Sequence, residues 1–380
     1  MEEASVSIRL NPFKGSDGPA GSPVPWSPHG RILSERPQFI LDPLMHAGCY
    51  YVQDSSAMFV GHLFRKMLDG FGPGVRVLDL CAAPGGKTTD IATSLRERFG
   101  GGFTVVANEV MKARAAVLSD NVAVWGDPNV AVTSVDPAVL GRALPGCFDI
   151  IVADVPCSGE GMFRKDKRAV EEWSPELVTI CAARQKRILA DVWPALREGG
   201  ILVYSTCTYE DAENDSNLEW AASELGGNIV PPEDEFPGSG IELTRCGSLL
   251  RAGVVPGEGQ WAGAMVKASG SERSSIFDLS VLRPLRNGTP APTLKGRDLI
   301  PHPDSVLDID FDKSSIPAAE VDLRTALSFL HRDSIVLPDA PLGYNVITYN
   351  GHPLGLVKNL GRRCNNLHPL SRRILKDIDR

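Results

Sequence analysis

The sequence lacks the features that place a protein in a membrane or direct it out of the cell. No apolar run among its 380 residues is long enough to cross a bilayer as a helix. Its first residues, MEEA, are acidic and lack the basic and then apolar pattern of a signal peptide. We therefore expect a cytoplasmic protein that makes no membrane contact.

Paired cysteines are also absent. The chain has 8 cysteines but no CxxC motif, a pattern typical of neither a disulfide framework nor a zinc ribbon. Cys364 and His368 have the spacing of metal ligands, but nothing near them in the sequence completes a site, so we predict no metal. Most of the thiols are interpreted as buried packing residues. Cys157 and Cys207 differ because each follows a predicted strand.

Positive charge is scarce overall, and the net charge of −8 taken alone argues against a nucleic-acid-binding protein. Basic residues nevertheless cluster twice. Residues 358–380 contain seven Lys or Arg and two Asp, and residues 164–168 read RKDKR directly after the first cysteine motif. Either cluster alone is typical of a solvated surface. One cluster directly follows a cysteine motif and the other lies in the terminal module, and together these positions make RNA binding as good an interpretation as a solvated surface.

The central part of the chain alternates between two hydrophobic periodicities. Strands are predicted at 75–80, 103–107, 130–134, 149–153 and 201–205, and helices at 87–98, 110–121, 176–196 and 211–225. We interpret Gly199 and Gly200 as the C-terminal cap of the long helix. Such alternation predicts an α/β fold with a doubly wound, mostly parallel sheet covered by helices on both faces. A helix at 319–331 and strands at 343–349 and 354–358 predict a small mixed α/β module.

The loop after the first predicted strand is rich in glycine but is not a nucleotide-phosphate loop. Residues 81–88 read CAAPGGKT, and the first glycine that a P-loop requires is replaced by Cys81. Glu109, Asp136 and Asp154 stand at or just past the ends of later strands, where such sheets bind ligands. A nucleoside without a phosphate chain suits this pattern, and S-adenosylmethionine (SAM) is a ligand of that kind.

Four segments resemble the NOP/Sun family of RNA cytosine-C5 methyltransferases over about residues 5–270. They are GCYYVQDSSAM at 48–58, CAAPGGK at 81–87, DVPCSG at 154–159 and STCT at 205–208. The tail, GHPLGLVK at 351–358 followed by GRR at 361–363, is similar to the PUA-like module of the branch that contains the ribosomal-RNA small-subunit methyltransferases F. The N-terminal lobe, at about 6–36, is shorter than the family's, and Ala252-Gly253 replaces an expected Pro-His or Pro-Gly.

The resemblance implies a Rossmann-like class I methyltransferase fold with SAM as cofactor and RNA, expected to be small-subunit ribosomal RNA, as partner. It implies an N-terminal RNA-binding lobe at 1–45, a methyltransferase domain at 46–270, a linker at 271–300 and a PUA-like module at 301–380. A monomer that binds no DNA is expected. The implied cofactor residues are Cys81, Ala82, Ala83, Pro84, Gly85, Gly86, Lys87, Glu109, Arg114, Asp136 and Asp154. The implied RNA-binding residues are Arg164, Lys165, Lys358, Arg362 and Arg363.

The resemblance also assigns catalytic roles to Cys207, Cys157 and Asp154. Cys207 would add to C6 of the base and activate C5, and Cys157 would assist release of the methylated product. Asp154 would stabilise the charge that develops at N3. Three alternatives stay open: Cys157 as the nucleophile, as in DNA cytosine methyltransferases; a transfer-RNA substrate; and a non-catalytic RNA-binding or ribosome-assembly factor.

Overall fold

The N-terminal region forms a small antiparallel sheet. In a computed structural model, the structure describes residues 5–15, 18–164, 167–268, 273–296 and 298–378. Strands β1 (Val6–Leu10), β2 (Ser22–Val24), β3 (Ser27–Leu33) and β4 (Tyr50–Val52) pair in the order β2-β3-β1-β4. The short helix α1 (Pro43–His46) leads into β4. This sheet extends past the lobe that the sequence delimits at 1–45.

A ten-stranded sheet forms the centre of the molecule. Its strands are β5 (Val75–Asp79), β6 (Phe103–Asn108), β7 (Val130–Thr133), β8 (Phe148–Asp154), β9 (Leu196–Thr206), β10 (Gly227–Val230), β11 (Glu242–Leu243), β12 (Gly247–Arg251), β13 (Gly259–Lys267) and β14 (Arg286–Asn287). The five strands in the order β7-β6-β5-β8-β9 are parallel, and the flanking strands pair antiparallel. Strand order reverses between β5 and β8, which is where doubly wound sheets bind ligands.

Helices cover both faces of this sheet, and the predicted α/β fold is confirmed. They are α2 (Met58–Met67), α3 (Gly86–Phe99), α4 (Lys112–Trp125), α5 (Pro137–Ala143), α6 (Lys167–Glu172), α7 (Pro175–Val192) and α8 (Asp215–Trp220). Alternate strand residues face opposite layers, since Val77 packs with α2, α3 and α4 whereas its neighbour Leu78 packs with α5 and α7.

The predicted end of the long helix is wrong. Helix α7 ends at Val192 and is followed by a 3-10 turn at Trp193–Ala195, because Pro194 has no backbone N–H with which to continue the helix. Gly199 and Gly200 lie inside β9, near a register shift between β8 and β9. Gly199 has a φ of 68°, and a side chain at Gly200 would lie 2.9 Å from the carbonyl oxygen of Asp149. The glycines therefore accommodate an irregular strand.

The segment between the two larger domains contains paired strands. Strand β14 pairs with β7 at the edge of the central sheet, and β15 (Thr293–Lys295) pairs with β16 (Asp298–Ile300). The stretch that the sequence assigns as a linker, 271–300, thus adds a strand to the central sheet; residues 271–272 and 297 are not among those described.

The C-terminal region forms a separate four-stranded sheet of β17 (Ala318–Glu320), β18 (Gly343–Tyr349), β19 (His352–Asn359) and β20 (Cys364–Asn366) with helix α9 (Leu323–His331). Helix α9 begins later than predicted because Asp322 caps its first turn after strand β17. Ile8 and Tyr50 of the N-terminal sheet and Phe329 and Ile347 of this region belong to one buried cluster. The two ends of the chain therefore share a hydrophobic core.

Candidate active site

The loop that joins β5 to α3 forms the base of the candidate site. Gly85 has a φ of 114°, a conformation that favours glycine, and it directs the chain into α3 at Gly86. Below the loop, Thr88 donates a hydrogen bond of 2.6 Å from Oγ1 to Oδ2 of Asp79. The loop thus brings the amino end of a helix, with its unpaired N–H groups, to the ligand-binding edge of the sheet.

Asp79 is a buried acid that the sequence analysis did not single out. It is fully buried at the end of β5, and burial raises its pKa to about 7. Its Oδ1 atom has no hydrogen-bond partner among the described residues. The motif around the loop includes this residue, but periodicity shows a strand end and not how completely water is excluded.

The acidic residues at the neighbouring strand ends have different surroundings. Glu109 is buried, accepts a hydrogen bond of 2.9 Å from the Met111 backbone N–H, and pairs with Arg114 at 3.3 Å. Arg114 also donates to the carbonyl oxygen of Ala83, so it joins Glu109 to the loop. Asp136 is exposed, and its side chain caps α5. Glu109 and Arg114 therefore lie together, with Asp136 at the rim.

Asp154, at the end of β8, is held by donors on both oxygens. Lys87 Nζ lies 2.8 Å from Oδ2, and Oδ1 accepts from Ser205 Oγ at 2.8 Å and from Gln260 Nε2 at 3.2 Å. Ser205 belongs to a motif that the sequence analysis quoted. Gln260 could not be found in that way, because it comes from β13, an antiparallel strand far along the chain.

Cys157 and Cys207 are brought into contact. Their sulfur atoms lie 3.1 Å apart, and both are free thiols. A hydrogen bond from Cys157 lowers the pKa of Cys207, and the Lys87 ammonium acts in the same direction. The pKa of Cys157 is raised, first by this hydrogen bond and then by burial and the Glu213 charge. Burial and the Asp154 carboxylate oppose the lowering at Cys207, and the net direction favours ionisation of Cys207 over Cys157.

A buried polar network fixes the loop that carries Cys157. The Glu213 carboxylate accepts hydrogen bonds of 3.1 Å from the Ser158 backbone N–H and 2.6 Å from Gln185 Nε2. Thr208, next to Cys207, exchanges a hydrogen bond of 2.9 Å with Ser158 and donates one of 2.9 Å to Glu160. Side-chain hydrogen bonds thus join the two loops that carry Cys157 and Cys207.

The predicted RNA-binding residues that the structure describes lie on two segments of the chain. Arg164 pairs with the buried Glu258 at 3.5 Å, and Lys165 lies outside the described residues. Arg362 and Arg363 are exposed in the turn between β19 and β20. The Lys358 ammonium lies 5.3 Å from the ring centre of Tyr344. Among the described residues of this set, Arg362 and Arg363 are therefore the exposed ones.

Two further features concern metal ions and membranes. The described part of the chain contains no group of three or more His, Cys, Asp or Glu side chains that could hold a metal ion. Among the same residues, no helix is long and apolar enough to span a membrane.

The chain matches two described protein families. Residues 71–224 match 16S rRNA methyltransferase RsmB/F, and residues 317–374 match the methyltransferase RsmF PUA domain. Ribosomal RNA small subunit methyltransferase F of Escherichia coli O157:H7 (strain EC4115 / EHEC) is 40% identical over 261 residues, which are 64% of this chain and 53% of that protein. The same enzyme of Klebsiella pneumoniae (strain 342) is 41% identical with the same coverage. The chain thus spans about half the length of these relatives.

Solved structures of similar fold come from Pyrococcus horikoshii. A methyltransferase homologue aligns with a TM-score of 0.56 and 25% identity, covering 70% of this chain and 87% of that one. NSun6 in a structure with SFG, an analogue of SAM, aligns with a TM-score of 0.56 and 18% identity, covering 70% of this chain and 92% of that one. These similarities support the fold described above.

Proposed function

Because residues 71–224 match the 16S rRNA methyltransferase RsmB/F family, we propose that the chain methylates C5 of a cytosine in RNA with SAM as the donor. Small-subunit ribosomal RNA is the proposed substrate class. The observation that carries the proposal is the contact between two free thiols, 3.1 Å apart, beside the Lys87–Asp154 ion pair. Two such thiols at one sheet edge suit addition to a base followed by release.

The residues around the β5–α3 loop fit SAM. When bound, SAM supplies an electrophilic methyl group on its sulfonium. The amino end of α3 offers free N–H groups to a carboxylate, and the buried Glu109 offers acceptor oxygens to a ribose diol. The partly buried Asp154 would lie between this ligand and the base. Asp136, exposed at the rim, is the proposed contact for the adenine.

Cys207 is proposed as the nucleophile. Its lowered pKa raises the fraction of thiolate, and the thiolate adds to C6 of the cytosine to form a C–S bond. The electron pair of the C5–C6 double bond moves toward N3, so C5 becomes nucleophilic and accepts the methyl group. A base from the solvent then takes the C5 proton, the electron pair of the C5–H bond re-forms the C5–C6 double bond, and the electron pair of the C6–S bond leaves with Cys207 as a thiolate.

Cys157 is proposed to assist the release step. It stays a thiol because the Cys207 sulfur and the Glu213 carboxylate oppose its ionisation. A thiol 3.1 Å from the leaving sulfur can hydrogen-bond to the departing thiolate and so stabilise it. The contact thus favours breaking the C6–S bond after the C5 proton has been removed.

Asp154 is proposed to bind the base as an acceptor. Lys87, Ser205 and Gln260 all donate to its carboxylate and so fix its position. A carboxylate oxygen of Asp154 would accept a hydrogen bond from the exocyclic amino group of cytosine and so select it over uracil. The role that the resemblance assigns to Asp154, stabilising the charge at N3 as acid or hydrogen-bond donor, is proposed beside this one.

The experiment that tests this function is transfer of a labelled methyl group from SAM to RNA. Small-subunit ribosomal RNA and assembled subunits are incubated with the wild-type chain, and digested RNA is analysed for 5-methylcytidine. Cys207→Ala is the matched control and should give no product. Binding of RNA without methylation in every substrate would support the non-catalytic alternative and contradict the proposal.

A further inference from the structure

The segment GCYYVQDSSAM at 48–58 and the N-terminal sheet have no role in the chemistry proposed above. We infer that Arg9, with Tyr51 and Gln53, is a positioning residue that sets the cofactor loop for SAM binding. The inference rests on the proposed function, since it concerns the same cofactor. The N-terminal sheet would then act on cofactor affinity and not only on RNA.

Arg9 is a buried arginine directed at the loop. It lies on β1 opposite Tyr51 of β4, and its side chain is fully buried. Its Nη2 atom donates to the Gly86 carbonyl oxygen at 3.2 Å and to Thr89 Oγ1 at 2.5 Å. Burying a guanidinium is costly unless its donors are used. Nη2 is used by the first turn of α3, whereas Nη1 has no hydrogen-bond partner among the described residues.

Other contacts fix the orientation of the guanidinium. Nε donates to Gln53 Oε1 at 2.8 Å, and the guanidinium carbon lies 4.6 Å from the ring centre of Trp125 in α4. Asp90 lies 4.0 Å from Nε, which balances part of the charge. Arg9 therefore joins three elements, β4, α3 and α4, at the edge of the loop.

Side chains from outside the loop hold its carbonyl groups. Tyr51 Oη and Asn121 Nδ2 donate to Pro84 at 3.1 and 2.8 Å, Arg114 donates to Ala83 at 2.8 Å, and Arg9 donates to Gly86. In a trans peptide the carbonyl and the next N–H point in opposite directions. Holding the carbonyls of Pro84 and Gly86 therefore turns the N–H groups of Gly85 and Lys87 away from these side chains. That orientation presents them to a ligand.

Residues in β4 and directly after it lie next to Gly86. A Cβ atom at Gly86 would be in ordinary van der Waals contact, 3.4 Å from the Tyr51 ring and 3.5 Å from Gln53. The N-terminal sheet is thus adjacent to the loop as well as hydrogen-bonded to it. Loss of Arg9 should free the Gly86 peptide and lower affinity for SAM, with little effect on the chemical step.

The test measures the Kd of SAM by isothermal titration calorimetry for the wild type, Arg9→Met and Arg9→Lys. Arg76→Met is the matched control, because Arg76 also donates to a carbonyl and lies 4.4 Å from an aromatic ring, but at the other end of β5. We expect Arg9→Met to raise Kd about tenfold or more, Arg9→Lys to raise it less, and the control to stay within about twofold. The KM for SAM should rise while kcat changes little.

A folded Arg9→Met variant with the wild-type Kd would overturn the inference. If that variant does not unfold cooperatively, Tyr51→Phe removes the bond to the Pro84 carbonyl, and Thr89→Val removes the acceptor of Arg9 together with the bonds that Thr89 Oγ1 donates to the Gly85 and Gly86 carbonyls. Each should raise Kd about threefold, and wild-type values in both would overturn the inference equally. A wild-type chain that binds no SAM would contradict the proposed function instead. In that case, hydrogen exchange at the Gly85 and Lys87 amides still tests whether Arg9 orders the loop. Exchange at these amides should be faster in Arg9→Met than in Arg76→Met.

Discussion

At the scale of single residues, the two thiols differ first through the hydrogen bond between them. This bond lowers the pKa of Cys207 and raises the pKa of Cys157, and burial and the Glu213 carboxylate raise the pKa of Cys157 further. Sequence motifs alone leave either cysteine as the nucleophile. The structure supports Cys207 through this asymmetry, and trapping experiments can separate the two assignments.

Alanine variants should separate attack from release. Cys157→Ala should accumulate a covalent RNA adduct, because Cys207 can still add to C6 while its departure loses assistance. Cys207→Ala should form none. Denaturing gel electrophoresis of protein mixed with RNA and SAM detects the adduct as a slower band. An adduct in Cys207→Ala but not in Cys157→Ala would instead make Cys157 the nucleophile.

The hydrogen bond between the thiols should be visible in pH profiles. Serine at position 157 keeps a donor to Cys207, whereas alanine removes it, so the Cys207 pKa should be higher in Cys157→Ala than in Cys157→Ser. We expect the midpoint of Cys207 alkylation to move upward by about one pH unit between the two. Mass spectrometry of the peptide that contains Cys207 measures the rate at each pH. Identical midpoints would show that the contact does not tune the nucleophile.

Asp79 should make stability depend on pH. Its pKa of about 7 in the folded chain exceeds that of an unfolded aspartate. As pH rises, the unfolded chain releases this proton first, so the stability present below the unfolded pKa is lost as pH passes the folded value. The melting temperature of Asp79→Asn should therefore gain a few degrees over the wild type between pH 5 and pH 8. Parallel changes in both proteins would contradict the assignment.

At the scale of elements, the turn between β19 and β20 carries two exposed arginines of the terminal module, Arg362 and Arg363. Arg362→Gln with Arg363→Gln should weaken RNA binding and reduce the salt slope by roughly one to two, since each arginine neutralises about one phosphate. Filter binding over a salt series measures this. Arg283→Gln, at an exposed arginine outside both predicted basic clusters, is the matched control. An unchanged slope in the double variant would remove the turn from the RNA surface.

Sequence patterns predicted the elements better than their ends and partners. The alternation of strands and helices, the parallel central strands and the family resemblance are confirmed. The end of α7 was misplaced, because paired glycines suit a cap and an irregular strand equally well. In the site, residues that belong to the quoted motifs, such as Ser205, could be identified from the sequence. Arg9 and Gln260 could not be identified, because each comes from a strand that is distant in the sequence.

At the scale of the whole molecule, the shared core links the terminal module to the N-terminal sheet. Hydrophobic periodicity showed that α9 has a buried face, but it could not show that Ile8 and Tyr50 would lie against it. The two terminal regions are therefore not independent attachments to the central sheet. A mutation that destabilises one terminal region should therefore also destabilise the other.

Truncating the fully buried Phe329 to alanine tests this link. The variant should lose about 3 kcal/mol or more of stability and speed hydrogen exchange in β1 as well as in α9. Leu189→Ala, at an equally buried site on α7, is the control that should not affect β1 selectively. Faster exchange confined to α9 would show that the two sheets open separately.

The carbonyl contacts around Pro84 and Gly86 have a thermodynamic consequence. The loop is ordered when the N-terminal sheet folds, so the entropy of fixing it is lost during folding and not on ligand binding. Calorimetry of cofactor binding should then show little of the entropic penalty that accompanies a disorder-to-order transition. Mutations that loosen the N-terminal sheet would move that penalty onto the binding step. A mutation that lowers the stability of the N-terminal sheet should thus also lower the affinity for the ligand.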